Sequence, residues 1–166
     1  MPRKKYIEFE ASDGSMVTYA HHANGDGLVE VTAKVDPSAS VAKTAYVDRG
    51  AKVAAAARIG DGAWIDEDAE LQEGSVIGSV VHIGRGAVVG RSAVIGARVK
   101  IGAGAQIERG AVIDEDIVIP DGAIVRGRHQ HGKSEFGRST YTRSTDTRST
   151  YRRSADHRGT DGTRAA

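Results

Sequence analysis

The chain has 166 residues and a formal net charge of +1, which suits one compact domain with appended segments. Glycine is abundant, at 21 residues, and aromatic residues make up only 5%, so we expect many tight turns and no core of large side chains. The absence of cysteine excludes disulfides, thiolate metal sites and cysteine nucleophiles. No apolar run approaches membrane-spanning length and no secretory segment follows the basic start, so we expect a cytoplasmic protein.

Residues 1–33 precede the repetitive part of the chain and contain short strand patterns. Residues 4–10 and 16–20 flank the turn sequence Asp13-Gly14, which predicts a β-hairpin, and residues 28–31 predict a strand that leads into the repeat. The end of a strand stack exposes unpaired backbone and core side chains. We therefore predict an N-terminal β cap, with a separate binding module as the alternative.

Residues 34–127 repeat every six residues. All sixteen positions reached by stepping by six from Val35 to Val125 are aliphatic, and alanine stands two residues before twelve of them. Side chains two residues apart point to the same side of a strand. Three residues after the aliphatic position, glycine or aspartate predicts a corner with unusual backbone angles, at Gly50, Gly62, Asp68, Gly74, Gly86, Gly104, Gly110, Asp116 and Gly122. Each repeat is therefore one short strand and one corner, and three repeats close a triangular coil.

The repeat predicts an all-β fold, a parallel β-helix of about five triangular coils with a column of Val, Ile and Leu inside and ladder bonds about 4.8 Å apart. Units such as Ile95-Gly-Ala-Arg-Val-Lys-Ile101-Gly-Ala-Gly-Ala-Gln resemble the hexapeptide-repeat, left-handed β-helix superfamily. That resemblance implies left-handed coils. The superfamily includes acyltransferases, γ-class carbonic anhydrases and the C-terminal domains of sugar nucleotidyltransferases, and most members are trimers.

The resemblance directs attention to His82, the only histidine inside the repeat. Acyltransferases of this superfamily carry a histidine as general base, and His82 should point outward because it directly precedes the inward Ile83. In those enzymes a loop interrupts the repeat and shapes an acyl-CoA cleft, whereas here the repeat never breaks. His82 is therefore a candidate catalytic base, with a solvated surface histidine as the alternative.

Two other activities of the superfamily are disfavoured. A γ-class carbonic anhydrase needs three histidines around its metal, so one histidine in the repeat predicts no metal site. Residues 109–124 resemble the closing coil of sugar nucleotidyltransferases, but residues 1–33 are too few for a nucleotide-binding domain and no glycine-rich phosphate loop opens a helix. That resemblance therefore implies a fold and not the activity.

Residues just before each aliphatic position point outward, and residues 18 apart share one face of successive coils. One face carries Val76, Val94 and Val112, an apolar stripe that costs about 25 cal/mol for each Å² left in water. We predict that a neighbouring subunit of a homotrimer covers this stripe. The chain's own N-terminal segment or tail is the alternative.

A second face carries an aromatic, an indole, an imidazole and an ammonium group, at Tyr46, Trp64, His82 and Lys100. Together they offer stacking, hydrogen bonding and charge, so this is the predicted ligand face. A subunit interface anchored by Tyr46 and Trp64 is the alternative. The third face has mixed side chains and is predicted to be solvated.

Residues 128–166 contain nine Lys or Arg against four acids and repeat every five residues from Arg138. The segment has almost no aliphatic residue, so we predict a disordered, basic, solvating tail. Nucleic-acid attachment is the alternative, through phosphate contacts made by Arg138, Arg143, Arg148, Arg152 and Arg153.

The unbroken repeat, with no catalytic loop and no histidine cluster, favours a trimeric scaffold or binding module that needs no cofactor. The alternative is an acyltransferase that binds acyl-CoA in a groove between subunits. In that hypothesis His82 is the base, and Trp64 and Lys100 contact the acyl carrier.

Overall fold

The structure is a computed structural model that describes residues 5–130 and the backbone of residues 141–142. Every regular element in these residues is a β-strand. The described part accordingly has no helix long and apolar enough to cross a membrane. The remainder of the predicted tail, including its five candidate arginines, lies outside the described residues, so disorder and nucleic-acid attachment stay predictions.

The chain opens with the predicted hairpin. Strands β1 (Tyr6–Glu10) and β2 (Met16–His21) pair antiparallel, with Tyr6 opposite Ala20. Strand β2 then pairs antiparallel with β3 (Leu28–Glu30), which confirms the strand predicted ahead of the repeat. Because β3 also pairs in parallel with a strand of the repeat, the hairpin extends one face of the solenoid beyond its first coil.

After β3 the chain forms a two-residue strand every six residues. The strands are β4 (Lys34–Val35), β5 (Ser40–Val41), β6 (Tyr46–Val47), β7 (Lys52–Val53), β8 (Arg58–Ile59), β9 (Trp64–Ile65), β10 (Glu70–Leu71), β11 (Val76–Ile77), β12 (His82–Ile83), β13 (Val88–Val89), β14 (Val94–Ile95), β15 (Lys100–Ile101), β16 (Gln106–Ile107), β17 (Val112–Ile113), β18 (Val118–Ile119), β19 (Ile124–Val125) and β20 (Arg128–His129). A last strand, β21 (Tyr141–Thr142), pairs antiparallel with β19.

Three sheets form the faces of a triangular parallel β-solenoid. Face A contains β3, β6, β9, β12, β15 and β18; face B contains β4, β7, β10, β13, β16 and β19; face C contains β5, β8, β11, β14, β17 and β20. The solenoid has about six turns, one more than predicted, because Leu28 already belongs to it. Its ladder also continues to His129, two residues past the predicted boundary.

The interior is the predicted aliphatic column. Side chains such as Ile65, Ile83 and Ile101 are almost fully buried, and the alanines beside them are buried completely. The position just before each face A strand is alanine in the lower coils, at Ala45 and Ala63. In the upper coils it holds the larger residues Val81, Val99 and Ile117.

The corners adopt positive φ at every glycine and aspartate for which it was predicted. Ala56, Val80, Ser92 and Arg98 adopt it too, although their side chains disfavour that conformation. In the upper coils the amide of the corner residue donates to a carbonyl one coil below, as Val80 does to the Asp61 oxygen at 2.8 Å. This bond holds the corner in the same conformation whichever residue occupies it.

In the first coil, side-chain hydroxyl groups accept the bonds that corner amides donate to carbonyls elsewhere. Thr32, Ser38 and Thr44 occupy its three corners, and each hydroxyl accepts the amide hydrogen of the corner residue 18 positions later, at 3.3, 3.0 and 2.9 Å. None of the three has positive φ. Hydroxyl side chains therefore replace the carbonyl acceptors at the coil where regular stacking begins.

Candidate functional site

Face A is continuous with the N-terminal hairpin, so aromatic rings from both units lie in one strip. The rings of Phe9 and Tyr19 meet edge to face at 5.7 Å, and those of Tyr19 and Tyr46 do so at 6.4 Å. The strip continues in register from Tyr46 to Trp64 and from Trp64 to His82. Strand pairing thus brings residues of the cap and of the predicted ligand face together.

Asp48 connects the hairpin to this strip. Its Oδ1 accepts a 2.6 Å hydrogen bond from the Tyr19 hydroxyl, and its Oδ2 accepts a 2.6 Å bond from Nε1 of Trp64. Partial burial first, and then the bond to Asp48, raise the pKa of the Tyr19 phenol well above its ordinary value. The bond from Nε1 holds the indole of Trp64 to Asp48, and the bond from Tyr19 ties the hairpin to the same carboxylate.

His82 stacks on Trp64. Their ring centroids are 5.0 Å apart and their planes differ by 28°. Nε2 of His82 is buried and has no hydrogen-bond partner among the described residues. The nearest charged group is Oδ2 of Asp66, at 3.7 Å. This separation is longer than a hydrogen bond, so the Asp66 carboxylate lies beside the imidazole without bonding to it.

The stack also limits what the strip can bind. One face of the indole and one face of the imidazole pack against each other, so these two ring faces are not available to a ligand. Lys100 follows His82 in register, is exposed, and forms no salt bridge within the described part of the chain. Gly84 follows Ile83 and is buried, since the backbone of residues 101–103 in the next coil packs against it.

Comparison with known proteins places the chain in a family. The family model described as the GMPPB C-terminal domain matches residues 23–129. This chain belongs to the GMPPB C-terminal domain family. The family has a hexapeptide-type left-handed β-helix, which confirms the fold and the handedness that the resemblance implied.

Solved structures similar to this chain include several acetyltransferases. A mutant of perosamine N-acetyltransferase from Caulobacter crescentus, in complex with CoA and GDP-perosamine, is 26% identical, with a TM-score of 0.60 over 60% of this chain and 48% of that chain. The acetyltransferase domain of PglB from Neisseria gonorrhoeae, in complex with acetyl coenzyme A, is 28% identical, with a TM-score of 0.34, over 60% and 54% of the two chains.

A hexapeptide transferase family protein from Anaplasma phagocytophilum is 17% identical, with a TM-score of 0.44, over 78% of this chain and 86% of that one. No curated protein matches this chain. The chain spans about half the length of the two acetyltransferases that it matches.

Sequence reasoning missed three residues of this site. Asp48 and Asp66 each follow the inward aliphatic residue of a face A strand. A side chain at that position points outward, as does the side chain that precedes the aliphatic residue. Their spacing of 18 was therefore a usable signal. Tyr19 carried no such signal, because its contact with Asp48 depends on how the hairpin folds back.

The valine stripe lies on face C as one ladder. Val76 pairs with Val94, and Val94 pairs with Val112. Val94 is 39% exposed, and the other two are half-buried. Gly78 and Gly96 follow on the same strands, and an added Cβ at Gly78 would clash with the backbone of Gly96. The stripe is thus a smooth apolar surface.

A groove of about 760 Å³ lies on face B and not beside His82. It is lined on one side by Lys34 and Lys52 and at the other end by Arg91, which is paired with Glu73 at 3.2 Å. Acids and bases balance along it, so the groove points to no particular ligand. Within the described residues, no group of three or more His, Asp or Glu side chains is arranged to hold a metal ion.

Proposed function

We propose that this chain is an acyltransferase that takes its acyl group from a coenzyme A thioester and uses His82 as general base. The observation that supports this most strongly is the carboxylate of Asp66, 3.7 Å from Nε2 of His82. The sequence alone offered a histidine with no orienting partner, and a base without one is a poor catalyst. Similarity to an N-acetyltransferase that binds CoA supports the same reaction class.

In the proposed mechanism each ring nitrogen of His82 has its own role. With Asp66 beside it, Nε2 carries the hydrogen of the neutral imidazole, and the lone pair of Nδ1 is left for the acceptor. An amine or hydroxyl of the acceptor attacks the thioester carbonyl carbon while Nδ1 removes its proton. The carbon–sulfur bond then breaks, and the imidazolium returns that proton to the leaving thiolate.

Two neighbours complete this proposed site. The indole of Trp64, held by Asp48, packs on the imidazole and restricts its rotation. The ammonium of Lys100, one coil above, supplies positive charge for the oxyanion or for a phosphate of the donor. Face A is open in a single chain, so we propose that a neighbouring subunit of a homotrimer, packed on the valine stripe, forms the second wall.

The test is acyl transfer by the full chain to a panel of amine and hydroxyl acceptors. His82→Ala is expected to lower kcat by about 10²- to 10⁴-fold, the range for loss of a general base. Asp66→Asn should lower it by roughly tenfold through loss of orientation. Asp61→Asn is the matched control, since among the described residues its exposed side chain forms a hydrogen bond only with Thr44. Full activity of the His82 variant would eliminate this mechanism.

A trimeric scaffold without catalytic chemistry is the second candidate. It is favoured by the unbroken repeat, because the six-residue spacing of strands from Lys34 to Val125 leaves no loop beside His82. Thermal unfolding with acetyl-CoA separates the two, since a ligand of the native state stabilises by RT ln(1 + [L]/Kd). A protein that stays oligomeric, shows no stabilisation at millimolar ligand and transfers no acyl group is a scaffold.

A further inference from the structure

Val80 is the most unfavourable corner residue of the solenoid. Its φ is 57°, in the left-handed region that a β-branched side chain disfavours most, yet the side chain is 63% exposed. Glycine occupies the equivalent corner directly below, at Gly62. Exposed valine has no buried contact here that offsets the unfavourable backbone. The bond from the Val80 amide to the Asp61 carbonyl imposes this conformation on the corner, but it does not require valine there.

The side chain of Val80 leans toward the coil below. A Cβ built on Gly62 would lie 3.6 Å from its Cγ2, so the valine stands over a glycine that has no side chain of its own. Trp64 follows Gly62 by two residues and is 50% exposed. We refer to Val80, Gly62 and Trp64, which flank the corner between faces C and A, as the apolar shelf.

This shelf borders the proposed base. Val80 precedes His82 by two residues, a separation of at most roughly 6.6 Å along extended backbone. The corner residue above, Arg98, does not bring charge to the shelf, because its guanidinium bonds to Asp116 at 2.7 Å and to Glu115 at 2.9 Å. An apolar group attached to a carbon reacting at His82 therefore meets hydrocarbon at this corner.

We propose that Val80 determines donor specificity by contacting the aliphatic chain of the acyl group, which makes acyl chains longer than acetyl the preferred substrates. This inference rests on the proposed acyltransfer at His82. A chain that extends from the thioester carbonyl across the shelf covers the exposed methyl groups of Val80 and one edge of Trp64. An acetyl group ends before it reaches Val80 and gains nothing from the contact.

The experiment compares kcat/KM for octanoyl-CoA and acetyl-CoA in the full chain. Val80→Gly is expected to lower the octanoyl-to-acetyl ratio about tenfold, the scale for removing a few methyl contacts from an apolar site. It should also raise the melting temperature by about 2–6 °C, since glycine relieves the left-handed strain. Val80→Thr keeps the branching and the strain, so it should lower the ratio without that rise.

Ser92→Gly is the matched control. Ser92 has a φ of 58°, is exposed, and stands over Gly74 as Val80 stands over Gly62, with its Oγ 3.5 Å from a Cβ built there. It lies at the corner that follows face B, away from His82. Ser92→Gly should show the melting rise and leave the chain-length ratio unchanged.

The outcomes separate this inference from the proposed function. An unchanged octanoyl-to-acetyl ratio in Val80→Gly, in an enzyme that His82→Ala inactivates, overturns the role of Val80 and leaves the general base in place. A wild-type chain that prefers acetyl-CoA overturns it as well. Absence of any transfer by the wild-type chain overturns the proposed function and the donor assignment together.

Discussion

The hydroxyl of Tyr19 donates a 2.6 Å hydrogen bond to the carboxylate of Asp48, 29 residues further along the chain. This bond fastens the N-terminal hairpin to the solenoid, and the same carboxylate also holds the indole of Trp64. Asp48 therefore anchors both the N-terminal cap and the proposed site. The stability of the hairpin and the geometry at His82 both depend on this one carboxylate.

Tyr19→Phe is expected to lower the free energy of unfolding by about 1 kcal/mol. This is below the usual range for a hydrogen bond to a charged group, because solvent reaches the pair. Chemical denaturation measures it. Tyr46→Phe is the control. The ring centroids of Tyr46 and Tyr19 are 6.4 Å apart, and the Tyr46 hydroxyl forms no hydrogen bond with other described residues. Equal losses in both variants would show that the bond to Asp48 contributes nothing.

Alkaline titration should show a late ionisation of Tyr19, because burial and Asp48 raise its pKa. The folded-state pKa lies above the unfolded value of about 10. Its contribution to stability is therefore complete below pH 10 and is lost as pH rises through the folded value. Phenolate absorbance follows the titration, and Tyr19→Phe should remove the late component. A late component that persists in this variant would belong to another tyrosine.

Ser75→Ala is expected to stabilise the protein by about 1 kcal/mol. The Ser75 hydroxyl is fully buried and has no hydrogen-bond partner among the described residues, so it carries an uncompensated desolvation cost. The positions 18 residues before and after it, Ala57 and Ala93, are already buried alanines. Thermal unfolding should show a rise, whereas exposed Ser92→Ala should show little change. A loss of stability in Ser75→Ala would mean that the hydroxyl has a partner.

Val94→Asp tests the proposed packing of a neighbouring subunit on the valine stripe. A carboxylate buried there without a partner is costly, so the variant should have a lower solution mass, measured by light scattering. Val88→Asp is the matched control, since Val88 holds the equivalent outward position of the preceding strand, on face B. Wild-type mass in Val94→Asp would exclude the stripe as the interface, and loss of mass in Val88→Asp would move the interface to face B.

The six-residue period predicted most of the fold, because alternation along a strand determines which side chains are inside. The column from Val35 to Val125, the positive-φ corners and the in-register strip from Tyr46 to Lys100 all followed from it. The extra turn at Leu28 did not, because the repeat there lacks the alanine and glycine that mark later coils.

The sequence by itself determined the solenoid, its three faces and the residues that each face presents, since these depend only on local alternation and on a constant coil length. Only the tertiary structure decided that Asp66 faces His82, that Asp48 binds both Tyr19 and Trp64, and that Val80 stands strained over Gly62. Those contacts depend on side-chain rotamers, on the fold-back of the hairpin and on corner bonds between coils. A periodic pattern carries none of that information, because it repeats identically whether or not two neighbouring side chains meet.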